Sequence, residues 1–426
     1  MLIEFRVKNF LSIQDEQVFS MVANADKAHL DTHTSMQLQD LRLLKSSAIY
    51  GANAAGKSSF IKAINTMQEI ILKSAKQQRG EKIPIIPFLL ASSIDKASAF
   101  EITFLIDNIR YQYGFSATQE RILEEWLLVY AETNRAQKWF ERIYDTKSEK
   151  YEWRFGTKFL GQKKLWQNST RDNALFLSTA VQLNSTQLQL AFDWLAKKLK
   201  IGGVNSWSDG DNVTIDMYQS GKLKKIVEFF KIADLDINDI KIQEEEFNEK
   251  MLPDDMPKEF KEQAMRELQG KKLLDISLIH LNQQEEKIPI NLENESDGTQ
   301  KFFKLIGPWL DSLENGNIVI IDELHNHLHP LMTKFLIELF HNKDLNKSNA
   351  QLIFTTHETS VLNQDIFRRD QIWFCEKQDK ATKLYPLSDF KPRKETNLED
   401  SYLSGRFGAL PYFQDISLAM GRENGE

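Results

Sequence analysis

The chemistry-bearing residues begin at Gly51-Ala52-Asn53-Ala54-Ala55-Gly56-Lys57-Ser58, a complete G-x-x-x-x-G-K-[ST] pattern. Two glycines let successive backbone N–H groups wrap a polyphosphate, and the N-terminus of a following helix adds a positive dipole end. Lys57 would reach the β- and γ-phosphates of a nucleoside triphosphate, and the Ser58 hydroxyl would ligate Mg²⁺. Gly51, Asn53, Gly56, Lys57, Ser58 and Ser59 form the candidate nucleotide-binding set.

Three further stretches could act on the same ligand. Ile318-Val319-Ile320-Ile321-Asp322-Glu323 is an apolar run ending in two acids, so Asp322 would hold the Mg²⁺ shell and Glu323 would polarise an attacking water. Leu352-Ile353-Phe354-Thr355-Thr356-His357 is a second such run ending in a histidine. One β-α-β crossover would bring His357 beside the phosphates. Glu295-Ser296-Asp297-Gly298-Thr299-Gln300 precedes an amphipathic segment with Phe302, Phe303, Leu305, Ile306, Trp309 and Leu310. It reads either as a second anion site at a helix start or as a simple N-cap on a surface helix. His325, His327 and His329 alternate just after Glu323. A transition-metal site is one reading of that trio, and the start of a helix at Leu328-His329-Pro330 is the other.

These residues need strands that end, and helices that begin, around one point. Ser47–Tyr50 leads into the phosphate loop as a strand, and Ser59–Ile64 leads out as a helix running to about Lys76. Ile3, Phe5 and Val7 alternate with charged residues as a half-buried strand, and 20–40 is polar and irregular. Phe100–Ile106 and Arg110–Phe115 form a hairpin around Asp107-Asn108. Ala174–Ser178 leads into a helix ending near Lys200. Helical segments at Leu188–Leu199 and Lys222–Ile232 and an acidic stretch from Glu244 mark a change of character. Strands return at Leu274–Leu281, Ile288–Leu292, Ile318–Ile321, Leu352–Thr355 and Gln371–Cys375.

In this order the motifs resemble the ABC-type ATPase heads shared by chromosome-maintenance, double-strand-break-repair and OLD-type ATPases. The compact length and Glu-Ser-x-Gly-Thr look most like small stand-alone bacterial anti-phage ATPases. The resemblance covers roughly 1–180 and 271–380, and Phe5–Phe10 resembles the first strand of those heads. It implies an α/β fold, a mixed sheet flanked by helices and split by a mainly helical insertion. The expected organisation is an N-terminal lobe (1–182), an insertion (183–270), a C-terminal lobe (271–390) and a tail (391–426). It further implies ATP and Mg²⁺ as ligands, with Lys57, Glu323 and His357 as the catalytic set and Ser58 and Asp322 at the metal. Ser296 and Gly298 would form a signature contacting ATP bound by a second subunit. Asp297 stands where the usual Leu-Ser-Gly-Gly-Gln signature has glycine, and no glutamine-loop residue is evident.

The chain has 426 residues, a net charge of -7 and one cysteine, Cys375, which excludes an internal disulfide and suits a cytoplasmic protein. No apolar stretch is long enough for a membrane helix. The acidic balance gives no general support to nucleic-acid binding, although Lys197, Lys198 and Lys200, or Lys222, Lys224 and Lys225, could form a local patch. The expected function is a Mg²⁺-dependent ATPase forming a homodimer or larger assembly, acting as a switch on an effector such as a nuclease or other toxin encoded nearby, in phage defence. The alternatives are a DNA-repair or DNA-processing ATPase, or an effector whose insertion or tail is itself a nuclease. The Gly405-Arg406-Phe407-Gly408 stretch reads equally as a partner contact or as a surface turn.

Overall fold

In the computed structural model, the residues described are 1–411, apart from 39–40, 92–95, 132–134, 204–212, 216, 218–220, 222, 234, 247–251, 253–255, 269–271 and 394. They fall into two compact units. The first comprises Met1–Ser206, Ser312–Asn326 and Thr333 onward, and the second comprises Trp207–Asp311 with His327–Met332.

Two sheets organise the first unit. One is a parallel sheet with an antiparallel edge, in the order Leu199–Gly203, Ile318–Asp322, Gln351–Thr356, Ser46–Tyr50, Ile372–Gln378, Ala381–Pro386. Its central strands are buried along their whole length, Ser46–Tyr50 and Gln351–Thr356 completely. That is why they read as continuous apolar runs and not as alternating ones. The other sheet is antiparallel, in the order Lys150–Phe155, Ala136–Asp145, Ile122–Tyr130, Ile109–Ala117, Ser98–Ile106, Leu2–Lys8, Gln17–Ser20. Asp107 and Asn108 both have left-handed φ, 47° and 62°, as a two-residue hairpin with right-handed strand twist requires.

The helix Lys57–Lys73 lies in the core shared by these sheets. Phe60 meets Phe5 edge-on at 5.7 Å and Phe19 at 5.4 Å, while Ile64 and Met67 share the core with Ile318, Ile320 and Ile353. Gln351 pins the two sheets together. Its Oε1 accepts from the Leu2 N–H at 2.6 Å, and its Nε2 donates to the carbonyls of Leu2 and Leu44 at 3.1 and 2.9 Å.

The second unit has its own three-stranded antiparallel sheet, Asp239–Glu246, Lys272–Leu281 and Lys287–Asn291. The helices Leu223–Ile232 and Asp297–Asn315 meet at Phe230 and Phe302, with ring centroids 5.0 Å apart. Gly307 is required there, because a Cβ would sit 2.3 Å from the Thr214 hydroxyl.

Four expectations change. The stretch 183–270 is not one helical insertion. Its first part is helical only to Lys198, and Leu199–Gly203 then joins the parallel sheet beside Ile318–Asp322. The strand Asp239–Glu246 adds β structure to the rest, while residues 247–249 of the acidic stretch lie outside the described residues. Ser296 and Gly298, expected in the C-terminal lobe, belong to the second unit. The segment 20–40, expected to be irregular, contains a helical turn Leu30–His33 and a strand Thr34–Leu38 paired with Leu41–Leu44. In the tail after 391, Leu398–Leu403 and the turn after it pack in the first unit, with Tyr402 and Phe407 stacked on Phe374 at 5.5 and 5.6 Å. Phe407 is fully buried, so this is not a plain surface turn, and 412–426 lie outside the described residues.

Candidate functional site

Strand Ser46–Tyr50 delivers the phosphate loop from the middle of the parallel sheet, and helix Lys57–Lys73 starts directly after it. Two glycines are fixed by close approach. A Cβ on Gly51 would lie 2.2 Å from the Cys375 carbonyl oxygen. A Cβ on Gly56 would lie 1.9 Å from the Thr382 hydroxyl, and Gly56 has φ +110°, which side chains avoid. Thr382 also donates to the Ala55 carbonyl at 3.0 Å and takes a hydrogen bond from the Ser12 hydroxyl at 2.8 Å. The loop is therefore held by residues from both ends of the sequence.

Lys57 is buried and donates to the carbonyls of Gly51 and Ala52 at 2.6 and 3.0 Å. Burial holds its ammonium below the usual lysine range, opposed by the nearby carboxylates of Glu323 and Asp322. The Cys375 thiol, buried under the loop, is pushed up to about 12 and stays protonated.

The acids at the end of Ile318–Asp322 are organised by one threonine on the neighbouring strand. Thr355 donates to Asp322 Oδ1 at 2.5 Å and accepts from the Glu323 N–H at 2.8 Å. Glu323 adopts φ +54°, a left-handed conformation that is strained outside glycine. Its Oε2 accepts from Asn326 Nδ2 at 2.7 Å. Thr355 thus holds the backbone of Glu323, and Asn326 holds its carboxylate.

Two cavities flank the loop. One, of about 360 Å³, is lined by Ser12, Lys57, Ser58, Ser59, Glu323 and Lys377, among others. The other, of about 700 Å³, is lined by Gly51, His357, Thr359, Glu376, Tyr402 and Ala409, among others. Asn53, Ala54, Ala55 and Lys377 line both. The structure therefore brings Gly51, Asn53, Gly56, Lys57, Ser58, Ser59, Glu323 and His357 to one place.

Ser296 and Gly298 are described within the second unit. Ser296 Oγ accepts from the Thr299 N–H at 3.2 Å and lies 2.9 Å from the Thr299 hydroxyl, which is N-cap geometry. A Cβ on Gly298 would lie 3.3 Å from the His327 carbonyl oxygen.

The alternating histidines do not act as a set. His325 meets His357, His327 lies 3.5 Å from Asp297, and His329 accepts from the Leu331 N–H. Among the described residues no group of three or more His, Cys, Asp or Glu side chains is placed to hold a metal ion. Of the lysines considered for a basic patch, Lys197 pairs with Asp193 at 3.1 Å and Lys198 donates to the Asn315 carbonyl. Lys222 lies outside the described residues.

Sequence reasoning missed four contributors. Thr355 and Tyr402 sat in segments read only as strand and tail. His325 was legible only as part of the histidine trio. Lys377, on the strand Ile372–Gln378, has no motif around it.

The family described as "AAA domain, putative AbiEii toxin, Type IV TA system" matches residues 46–363, from the strand before the phosphate loop to just beyond His357. The chain belongs to this family. It is an ATP-hydrolysing enzyme with an α/β fold built around a phosphate loop. No curated protein matches it. Among solved structures it is similar to an Smc head bound to the C-winged helix domain of ScpA, at 14% identity, 91% of this chain, 99% of that chain and TM-score 0.47. It is also similar to the SMC head domain from Thermotoga maritima, at 12% identity, 90% and 98% coverage and TM-score 0.42. A third similarity is to the recombination mediator RecF with ATP, at 13% identity, 90% and 97% coverage and TM-score 0.36. Among the described residues of this ATPase no helix is long and apolar enough to cross a membrane.

Proposed function

We propose that this ATPase is a nucleotide-dependent switch that controls a partner effector in bacterial anti-phage defence, working as a homodimer or larger homo-oligomer with ATP at the subunit interface. The observation that carries the nucleotide chemistry is the meeting of Lys57, Ser58 and Glu323 in one cavity, with Asp322 and Glu323 tied to the same Thr355.

In this reading Lys57 neutralises the β- and γ-phosphates, and the loop N–H groups and helix dipole hold them in place. The residues fit Mg²⁺. Ser58 and Asp322 are hard oxygen donors, and Asp322 Oδ2 has no hydrogen-bond partner among the described residues. The ion would supply neutralisation of charge growing on the phosphoryl group. Glu323 orients the water and takes up its proton, and His357 donates a hydrogen bond to the γ-phosphate. Ser296 and Gly298 face the ATP of a second copy. The N-cap role of Ser296 is compatible with this, because a capped helix start still presents unpaired N–H groups.

A switch needs two arrangements whose balance nucleotide can shift, and a preference of about 3 kcal/mol for one of them shifts the balance roughly 150-fold. The toxin–antitoxin setting in the family's description supports a two-protein system. The test mixes inactive Lys57→Ala with inactive Ser296→Arg. ATPase activity should reappear, because a mixed dimer keeps one intact composite site. No recovery, together with a monomeric mass in ATP, would reject the composite site. Phage challenge with and without the neighbouring genes tests the effector, and full protection by this chain alone would reject it.

A further inference from the structure

His325 is buried behind the exposed His357, and their Nε2 atoms are 3.0 Å apart. We propose that His325 is a positioning residue that fixes the tautomer of His357, so that His357 offers an Nδ1–H donor to the terminal phosphate. The proposal rests on the reading of His357 given above.

The argument follows one chain of protons. The Glu358 N–H donates to Thr356 Oγ1 at 3.0 Å. Thr356 is fully buried, and the remaining partner of its hydroxyl among the described residues is His325 Nδ1, at 3.0 Å. A buried hydroxyl proton must have an acceptor, so Thr356 donates and His325 Nδ1 accepts. A neutral imidazole with an accepting Nδ1 carries its proton on Nε2. That proton points at His357 Nε2, which must then accept, and the proton of His357 is left on Nδ1. Every donor in the relay meets an acceptor, and the last donor is on the residue that lines the cavity with Gly51 and Asn53.

The reverse order would leave the Thr356 proton unsatisfied in the core, and it would give His357 a bare Nδ1 lone pair, which a phosphate oxygen repels. Two short polar links and one ring thus decide whether His357 is a donor or an acceptor toward an anion. The near-perpendicular rings, at 73° with centroids 3.9 Å apart, allow the lone pair of one Nε2 to face the N–H of the other. An outer partner that sets tautomer and ring orientation in this way is the same device that metal-ligating histidines use.

The test is long-range ¹H–¹⁵N NMR of the full chain labelled at histidine nitrogens, without nucleotide, with His357 assigned by its loss in His357→Asn. The expected signature is an Nδ1–H tautomer for His357 and an Nε2–H tautomer for His325. In His325→Leu, His357 should move toward the Nε2–H form favoured in water. The kcat should fall roughly 10–100-fold with ATP affinity unchanged. His325→Gln should recover part of the rate, because its amide N–H sits near the position of the ring Nε2–H. An Nε2–H tautomer for His357 in the wild type overturns the proposal, as does a His325→Leu enzyme with the wild-type rate. The two readings fail separately. An unchanged rate in His357→Ala removes the phosphate contact, whereas the wild-type tautomer decides the pairing by itself.

Discussion

The parallel sheet has a histidine pair at each end of its strands, and the two pairs have opposite characters. At the amino end, Ser46 opens its strand by bonding His341 Nε2 at 2.7 Å, and His341 meets His33 at a tilt of 47° with centroids 3.6 Å apart. At the carboxyl end, Thr356 closes its strand by bonding His325, which meets His357. The first pair is sealed. Burial, with Lys45 and other cationic neighbours, holds His341 well below its usual range and His33 down to about 3, so neither ring takes a charge near neutrality. The second pair is half open, with His357 exposed beside the phosphate loop. The residue type is the same at both ends, but the carboxyl ends of parallel strands are where loops and helix N-termini gather donors toward a ligand. The amino ends here are used for packing.

The largest effect that could break this contrast is at the loop. Lys57→Ala should lower ATP affinity at least about 100-fold, the equivalent of ~3 kcal/mol, read by fluorescent-nucleotide titration. Unchanged affinity would mean that the carboxyl end is not the nucleotide end. Glu323→Gln should retain ATP binding while kcat drops roughly 10²–10⁴-fold, because the amide keeps the shape but cannot accept a proton. Equal turnover in that variant and the wild type would remove Glu323 from the water.

Much of the carboxyl end was legible in the sequence, because its signals are local. A strand, a six-residue loop and a helix start are consecutive at Tyr50–Lys57, and Asp322, Glu323 and His357 each close an apolar run. The Asp107-Asn108 hairpin was legible for the same reason. What could not be read depends on distant partners. Thr355 looks like one more strand residue until it faces Asp322. Gly56 must be glycine because of Thr382, far along the chain. Leu199–Gly203 is too short and too rich in glycine to announce a place in the sheet, and the docking of Tyr402 and Phe407 depends on Phe374.

Two smaller predictions sharpen the comparison. Phe407→Ala should cost about 3 kcal/mol of stability in denaturant unfolding, since a fully buried ring is removed from its stack. Because Tyr402 and Ala409 line the larger cavity, ATP affinity should weaken in the same variant. A stable protein with full affinity would detach this segment from the site. The smallest effect concerns the sealed pair. A histidine whose folded pKa lies near 3 contributes stability that is complete above the unfolded value of about 6.5 and is lost as pH falls from there toward 3. The melting temperature should therefore decline between pH 6.5 and 4. His33→Phe should reduce that decline, because a phenyl ring fills the place beside His341 without a proton to gain. An identical pH slope in the two proteins would show that this pair does not set acid stability.

The Gln351 clamp also has a consequence for how the protein is made. Leu2 and the side chain that holds it are 349 residues apart in sequence. During synthesis the first strand leaves the ribosome long before its clamp exists, and the larger cavity gains its last wall only when Tyr402–Pro411 has emerged. Closing contacts over such separations is slow, and the edges left waiting are prone to mispairing. The nascent chain therefore passes through a long interval with the phosphate loop already made but unsupported by Thr382, Phe407 or the clamp. Nucleotide capture by the finished site is a late event in the birth of the molecule.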